Sequence, residues 1–280
     1  MSTPQNISCE FFPPRTENGV LKLRETREQL QALKPTYFSV TFGAGGSTQE
    51  KTFETVVEIQ QTGYDAAPHL SCIGSTKTNV RQLLQDYQAH NIHRIVALRG
   101  DKPSGWAAGP IGELSYANEL VEFIRTETGK YFHIEVGAYP EFHPEAKNAK
   151  ADLDFFIQKV NAGADSAITQ YFYNADAYFR FVDNCAQRSV TIPIIPGIMP
   201  ISNYEQLVRF SDTCGAEIPR WLRWHLRDLK DDKIALQAFS LDVMTKLCER
   251  LLTGGAPGLH FYTLNQAHLT SEIAKRLGII

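Results

Sequence analysis

This sequence has few means of covalent reinforcement. Its five cysteines, at positions 9, 72, 185, 214 and 248, are odd in number and form no CxxC pair. Cys9 and Cys72 stand in apolar, strand-like runs, where a thiol behaves as a small hydrophobe. A secretory signal is missing from MSTPQNISCE, which points to a reducing cytoplasm. Long apolar runs are missing too. TIPIIPGIM (191–199) is short and broken by prolines, so no membrane span is expected. The formal net charge of -3 argues against a general affinity for nucleic acid or another polyanion. No linker, low-complexity segment or charge block divides the 280 residues. A single domain over 1–280 is therefore expected, large enough to bury roughly three quarters of its unfolded surface.

What the sequence does contain is an alternation of β-rich and helical stretches. The strand candidates are ISCEFF (7–12), YFSVTFG (37–43), AAPHLSC (66–72), RIVALRG (94–100), HIEVGAY (133–139), SAITQYFY (166–173), IPIIPGI (192–198) and GLHFYTLN (258–265). Between them, Val20, Leu23, Leu30 and Leu33 share a helical face, as do Leu153, Phe156, Ile157 and Val160. Ser202 and Glu205 read as a capping box for the helix after the seventh strand. Eight strands alternating with helices imply an α/β fold with a parallel sheet. A closed (β/α)8 TIM barrel, with an extra helical segment between strands 7 and 8, is the economical architecture, and an open doubly wound sheet is the alternative.

Polar residues gather at one end of these strands. They are Glu10, Thr41, His69, Arg99-Gly100-Asp101, then Tyr139, Glu141 and His143, and finally Gln170, Tyr262 and Asn265. In a barrel all of these ring the mouth where active sites form, which favours an enzyme. Glu10 stands in an apolar run stopped by Pro13-Pro14, where burial would help it hold a proton.

Several tempting motifs fail. GAGGST (43–48) follows a strand, but position 48 is Thr where a dinucleotide fingerprint needs its third glycine, so a tight turn is the better reading. Glu10, His69, Asp101, Glu141 and His143 are metal-ligand types, yet the first strand has no HxH pair and no HExxH motif occurs, so no metal is expected. No strand candidate contains a lysine for Schiff-base chemistry. The segment 138–159 is the densest in chemistry. Tyr139 and His143 suit a clamp on a planar or phosphorylated ligand, Pro144 suits the first turn of the next helix, and Asp152 and Lys159 share a helical face. Lys159 alone would more simply be a solvated surface residue. RWLRWHLR (220–227) reads as an accessory helix packing its tryptophans on the barrel or in a subunit contact, not as a membrane or RNA contact.

Taken together, CEFFPPR, SVTFGAGGS, PHLSC, VALRGD, AYPEFHPEA, AITQYFY, PGIMP and HFYTLN resemble, in order and spacing, the bacterial 5,10-methylenetetrahydrofolate reductase family over essentially the whole chain. The resemblance implies a TIM-barrel flavoprotein holding FAD at the carboxyl ends of its strands. In that family NADH or NADPH reduces FAD, and reduced FAD converts 5,10-methylenetetrahydrofolate to 5-methyltetrahydrofolate for methionine synthesis. It implies that Glu10 is the acid that opens the folate ring and that Asp101 stabilises the resulting cation. FAD contacts implied are Thr41, His69, Leu98, Arg99, Gly100, Asp101, Tyr139, His143, Asp152 and Lys159. Substrate contacts implied are Glu10, Asp101, Gln170, Gln206, Phe210, Tyr262 and Gln266. A cytoplasmic homo-oligomer with small-molecule substrates is expected. Two positions depart from the family pattern: Phe155 replaces an Asn on the adenosine side of FAD, and Gln266 replaces an Arg after YTLN. The sequence stops directly after the last barrel helix, so no regulatory domain and no inhibition by S-adenosylmethionine are expected. A flavin barrel of the proline dehydrogenase type and a non-catalytic folate- or flavin-binding protein are the alternatives.

Overall fold

A computed structural model describes residues 6–42, 46–100 and 112–280. Its strands are β1 (Ile7–Phe11), β2 (Tyr37–Val40), β3 (Ala66–Ser71), β4 (Arg94–Leu98), β5 (His133–Ala138), β6 (Ser166–Thr169), β7 (Ile194–Ile195), β8 (Gly197–Ile198) and β9 (Leu259–Tyr262). All pair in parallel, in the order β7-β6-β5-β4-β3-β2-β1-β9-β8. The two end segments of that order, β7 and β8, are consecutive in sequence and separated only by Pro196. One extended run therefore pairs with β6 through its first half and with β9 through its second, and the sheet closes into a (β/α)8 barrel. The expected seventh strand is broken because Pro196 has no N–H for a ladder. Gly197 N donates instead to Thr169 Oγ1 at 2.9 Å, and Pro196 O accepts from His260 N at 3.0 Å.

Helices α1 (Glu17–Leu30), α2 (Gly46–Gln61), α3 (Lys77–Ala89), α4 (Ala117–Thr128), α5 (Ala149–Asn161) and α6 (Ala175–Gln187) follow β1 to β6 in turn. Three more, α7 (Tyr204–Cys214), α8 (Arg220–Asp228) and α9 (Lys233–Thr253), stand between β8 and β9, where extra helix was expected. α10 (His268–Arg276) follows β9. Among the described residues no helix is long and apolar enough to cross a membrane.

Strand alternation divides the core in two. Ile7, Cys9 and Phe11 of β1, with Phe38 and Val40 of β2, join a large apolar cluster with the helices. The intervening residues face the barrel axis. There the apolar cluster is small, comprising Tyr37, Ala67, Val96 and Ile168, with Leu98 and Tyr262 against it. The other buried residues at these alternating positions include Ser8, Glu10, Ser39, His69, Glu135, Ser166 and His260. Barrel interiors are ordinarily filled by Val, Ile and Leu. This one is polar.

Several sequence expectations need correcting. The strands stop earlier than their apolar runs, so Thr41 lies just beyond β2 and Gln170 just beyond β6, each still donating one ladder-type bond, to Phe11 O and Ala138 O. The cap of α7 is Asn203, accepting from Gln206 N at 2.8 Å, in place of the Ser202–Glu205 box. Pro144 is outside α5, whose cap is Asn148. On α8 it is Leu222 and Leu226 that are buried, while Trp221 and Trp224 remain about half exposed. Packing on the barrel is thereby corrected, while the expected subunit contact is untouched by it: both tryptophans stand at the surface, Trp224 beneath the Arg220 guanidinium at 4.4 Å.

Candidate active site

The strand ends open into a cavity of about 1110 Å³. Its lining includes Glu10, Thr41, His69, Leu98, Arg99, Gly100, Tyr139, His143, Gln170, Phe210 and Tyr262, eleven of the residues expected at the site. Asp152, Lys159, Gln206 and Gln266 are absent from that lining, and Asp101 lies outside the described residues. GAGGST begins outside them as well.

Glu10 is positioned from both ends of the barrel seam. Thr263 Oγ1 donates to Glu10 O at 2.6 Å, and Asn265 clasps Phe12 by donating to its O at 3.0 Å and accepting from its N at 2.8 Å. Pro13 and Pro14 then end the strand, and Thr16 caps α1 by accepting from Gly19 N. The Glu10 carboxylate meets two imidazoles, with Oε2 3.2 Å from His69 Nε2 and 3.6 Å from His260 Nε2. Burial pushes this carboxyl up, but His69 and His260 outweigh burial and bring it down to about 2. The expected buried, proton-holding carboxyl is thus corrected: two imidazoles hold Glu10 toward its carboxylate form in a Glu–His–His cluster. The sequence pattern alone does not single out His260, or Ser8, whose Oγ lies 2.7 Å from His260 Nδ1. The overlooked signal was alternation, because Ser8/Glu10 and His260/Tyr262 occupy every second position of paired strands.

Gly137 leaves space in the cavity wall. A Cβ there would meet only the Leu98 and Tyr139 side chains, at 3.7 and 4.0 Å, so the wall stays open where any larger residue would project. Gly100 is constrained differently. Its φ is +87°, and a Cβ would lie 1.9 Å from Ser71 Oγ, the hydroxyl that donates to Arg99 O at 2.7 Å. Only glycine permits this approach.

Basic side chains stand in and behind the cavity wall. Arg99 holds Glu145 through two hydrogen bonds of 2.7 and 3.1 Å, the fork geometry that also recognises phosphate. Burial pushes the His143 imidazole down, and Arg99 adds to that; its ring meets Tyr139 edge-on with centroids 4.7 Å apart. Lys159 is half-buried, correcting the solvated reading, and its ammonium donates to Gly137 O behind the cavity wall. Burial lowers it to about 8, against the pull of Asp152, whose own carboxyl burial raises. Gln170 Oε1 accepts from Tyr171 N at 2.9 Å, which leaves the amide N–H2 as its donor. Tyr262 donates to Thr169 O at 2.7 Å. Glu141, once grouped with possible metal ligands, instead accepts from Glu217 N at 2.8 Å and ties the loop after β5 to the segment before α8. Phe155 is about half exposed on α5, and Gln266 is exposed after β9.

The sequence model described as methylenetetrahydrofolate reductase matches residues 2–278. The 5,10-methylenetetrahydrofolate reductase of Escherichia coli (strain K12) is 39% identical over 275 residues, covering 98% of this chain and 91% of that protein. Methylenetetrahydrofolate reductase (NADH) 1 of Arabidopsis thaliana is 37% identical over 286 residues, covering 98% of this chain and 48% of the plant protein. Among solved structures, a Clostridium thermocellum protein described as binding two copies of 5-methyl-5,6,7,8-tetrahydrofolic acid superposes with a TM-score of 0.66. That match covers 98% of this chain and 94% of the other at 17% identity, a likeness of fold.

Proposed function

Since this chain belongs to the methylenetetrahydrofolate reductase family, we propose that it reduces 5,10-methylenetetrahydrofolate to 5-methyltetrahydrofolate with NADH or NADPH, using FAD and supplying methyl groups for methionine synthesis in the cytoplasm. The observation that carries this reading is Glu10, which lines the cavity together with His69 and is backed by the buried His260. Net reduction consumes one hydride and one proton. The proton is needed on N10 of the folate, so that the five-membered ring opens to a reactive N5 iminium.

The residues present suit FAD. The open wall at Gly137 gives a flat ring room, Arg99 and His143 offer donors for a pyrophosphate, and the Lys159 ammonium adds positive charge behind the wall. When bound, FAD supplies the carriage of hydride from the nicotinamide to the folate. The protein's part is placement and proton supply. Glu10, with its imidazoles, delivers the proton; Gln170 directs its amide N–H2 at the pterin edge; Phe210 offers a ring for stacking. Asp101 contributes a carboxylate for the iminium cation. One cavity serves both half-reactions, which suits a ping-pong order in which the nicotinamide leaves before folate enters.

The deciding experiment is anaerobic stopped-flow absorbance with each nicotinamide and then with folate. Bleaching of bound flavin followed by reoxidation with methylenetetrahydrofolate is expected; a protein that neither binds FAD nor turns over folate would defeat the proposal. Lys159 gives a narrower prediction. Its charge is lost as pH rises through about 8, so FAD affinity of the apoprotein falls across that range. Lys159→Met weakens binding roughly tenfold at neutral pH, the worth of one charge-assisted hydrogen bond, and flattens the pH dependence. Titration by flavin fluorescence measures both, and an unchanged slope in the variant would remove Lys159 from the site.

A further inference from the structure

At the carboxyl end of β1 and β9 the hydrogen-bond ladder is finished by side chains. Leu259 N donates to Asn6 O at 2.9 Å where the pairing starts, and the strands stay in register as far as Glu10 and Tyr262. Parallel ladder bonds are evenly spaced and recur at every second residue. Continued regularly, Thr263 N would reach Glu10 O, and Phe12 N would reach Thr263 O. The groups found there are different. Glu10 O accepts from the Thr263 hydroxyl at 2.6 Å, and Phe12 N donates to Asn265 Oδ1 at 2.8 Å. Asn265 Nδ2 then donates to Phe12 O at 3.0 Å. The amide meets Phe12 as a neighbouring peptide group would, with one donor and one acceptor.

This replacement frees the backbone to turn. Leu264 and Asn265 have φ of +52° and +56°, and Gln266 N closes the turn on Thr263 O at 3.0 Å. Tight turns with two left-handed central residues are built mostly from Gly, Asn and Asp. Asn265 obeys that rule and Leu264 breaks it, because a bulky side chain is strained in this region. The strain delivers a side chain to a particular place. Leu264 lines the cavity, and so does Phe12, the residue that Asn265 grips. Further bonds brace the turn. Thr26 on α1 donates to Asn265 O at 3.3 Å, and Asn265 N donates at 3.2 Å to the same Thr263 hydroxyl that holds Glu10 O.

We infer that Asn265 is a positioning residue for the reduction of folate. Its amide stands in for the missing rung and holds the strained turn against β1. Leu264 and Phe12 are thereby set as one apolar wall of the cavity, and the strand end carrying Glu10 is kept in place. Asn265 is absent from the cavity lining and its amide is spent on Phe12, so it acts through these neighbours. The kinetic side of the inference rests on the reductase reading. Its mechanical side, that the amide secures the end of β1, does not.

Asn265→Gly separates the clasp from the turn, since glycine keeps the left-handed conformation but loses both bonds to Phe12. In the purified flavoprotein, kcat/KM for methylenetetrahydrofolate is expected to fall about tenfold, the worth of one or two hydrogen bonds. Flavin reduction by NAD(P)H keeps its wild-type rate. Amide hydrogen exchange of the peptide 7–15, followed by mass spectrometry, quickens by about the same factor. Asn265→Asp is the second variant and carries the comparison if the glycine variant fails to fold. It accepts from Phe12 N but cannot donate to Phe12 O, and its folate reduction and exchange are expected to lie between the other two proteins. Wild-type kcat/KM in Asn265→Gly would overturn the inference, as would an equal loss of both half-reactions in the two variants, which marks a general loosening of the barrel. Exchange needs no turnover. Faster exchange in the variants supports the mechanical side even if wild-type protein fails to reduce folate, an outcome that defeats the reductase reading alone, and equal exchange in all three proteins overturns it.

Discussion

Glu10→Gln is expected to slow folate reduction by about 10² to 10⁴, the range that a positioned acid contributes, while flavin reduction by NAD(P)H proceeds at its normal rate. The amide keeps the size and most of the contacts of the side chain but has no proton to deliver. It also removes the charge that draws His69 and His260 together over Oε2. Hydride transfer from nicotinamide to flavin requires no protonation of N10, and so the two half-reactions separate. Stopped-flow measurement of each half-reaction checks this. Folate reduction at the wild-type rate would take Glu10 out of the mechanism.

The largest effect on stability is expected at the barrel seam. A Cβ on Gly197 would lie 2.1 Å from Thr169 O and 2.5 Å from the Tyr262 ring. Neither neighbour can retreat freely. Thr169 accepts from the Tyr262 hydroxyl at 2.7 Å, and its own side chain holds Gly197 N at 2.9 Å. Gly197→Ala must therefore spread β6 from β8 or displace Tyr262, at a cost of about 3 kcal/mol, the upper part of the range for overpacked cores. Urea denaturation would register this as a lower midpoint with an unchanged slope. An unaltered midpoint would show that the seam is loose.

Much of this was legible in the sequence. Eight apolar, β-rich runs separated by helical faces gave the barrel, because burial on both sides of a parallel sheet leaves that periodic record. Glu10, His69, Arg99 and Gln170 could be placed at the mouth because polar residues at strand ends have few other uses. The broken seventh strand was not legible, since Pro196 within IPIIPGI is compatible with either an ending or a crossing between two neighbours. The solvated reading of Lys159 was wrong, since the lysine is half-buried, and neither it nor Asp152 lines the cavity. Helical phase alone does not say how far a long side chain reaches. The polar interior was missed for a different reason. Ser8, Tyr37, Glu135 and His260 are scattered through the chain and converge only when non-adjacent strands face each other, as Tyr37 and Glu135 do.

The pairing of β1 with β9 has a consequence for how the protein is made. During synthesis the first strand emerges long before the last, and until residue 262 leaves the ribosome one edge of β1 has no neighbour. Unpaired edges invite contact with other chains. Contacts between residues as far apart as Ser8 and His260, 252 positions along the chain, also form slowly. Two members of the Glu10–His69–His260 cluster, Glu10 and His260, stand on those same two strands. A truncated or half-folded product therefore has no Glu10–His260 pair, and any chemistry that needs this pair waits until the circle of strands is complete.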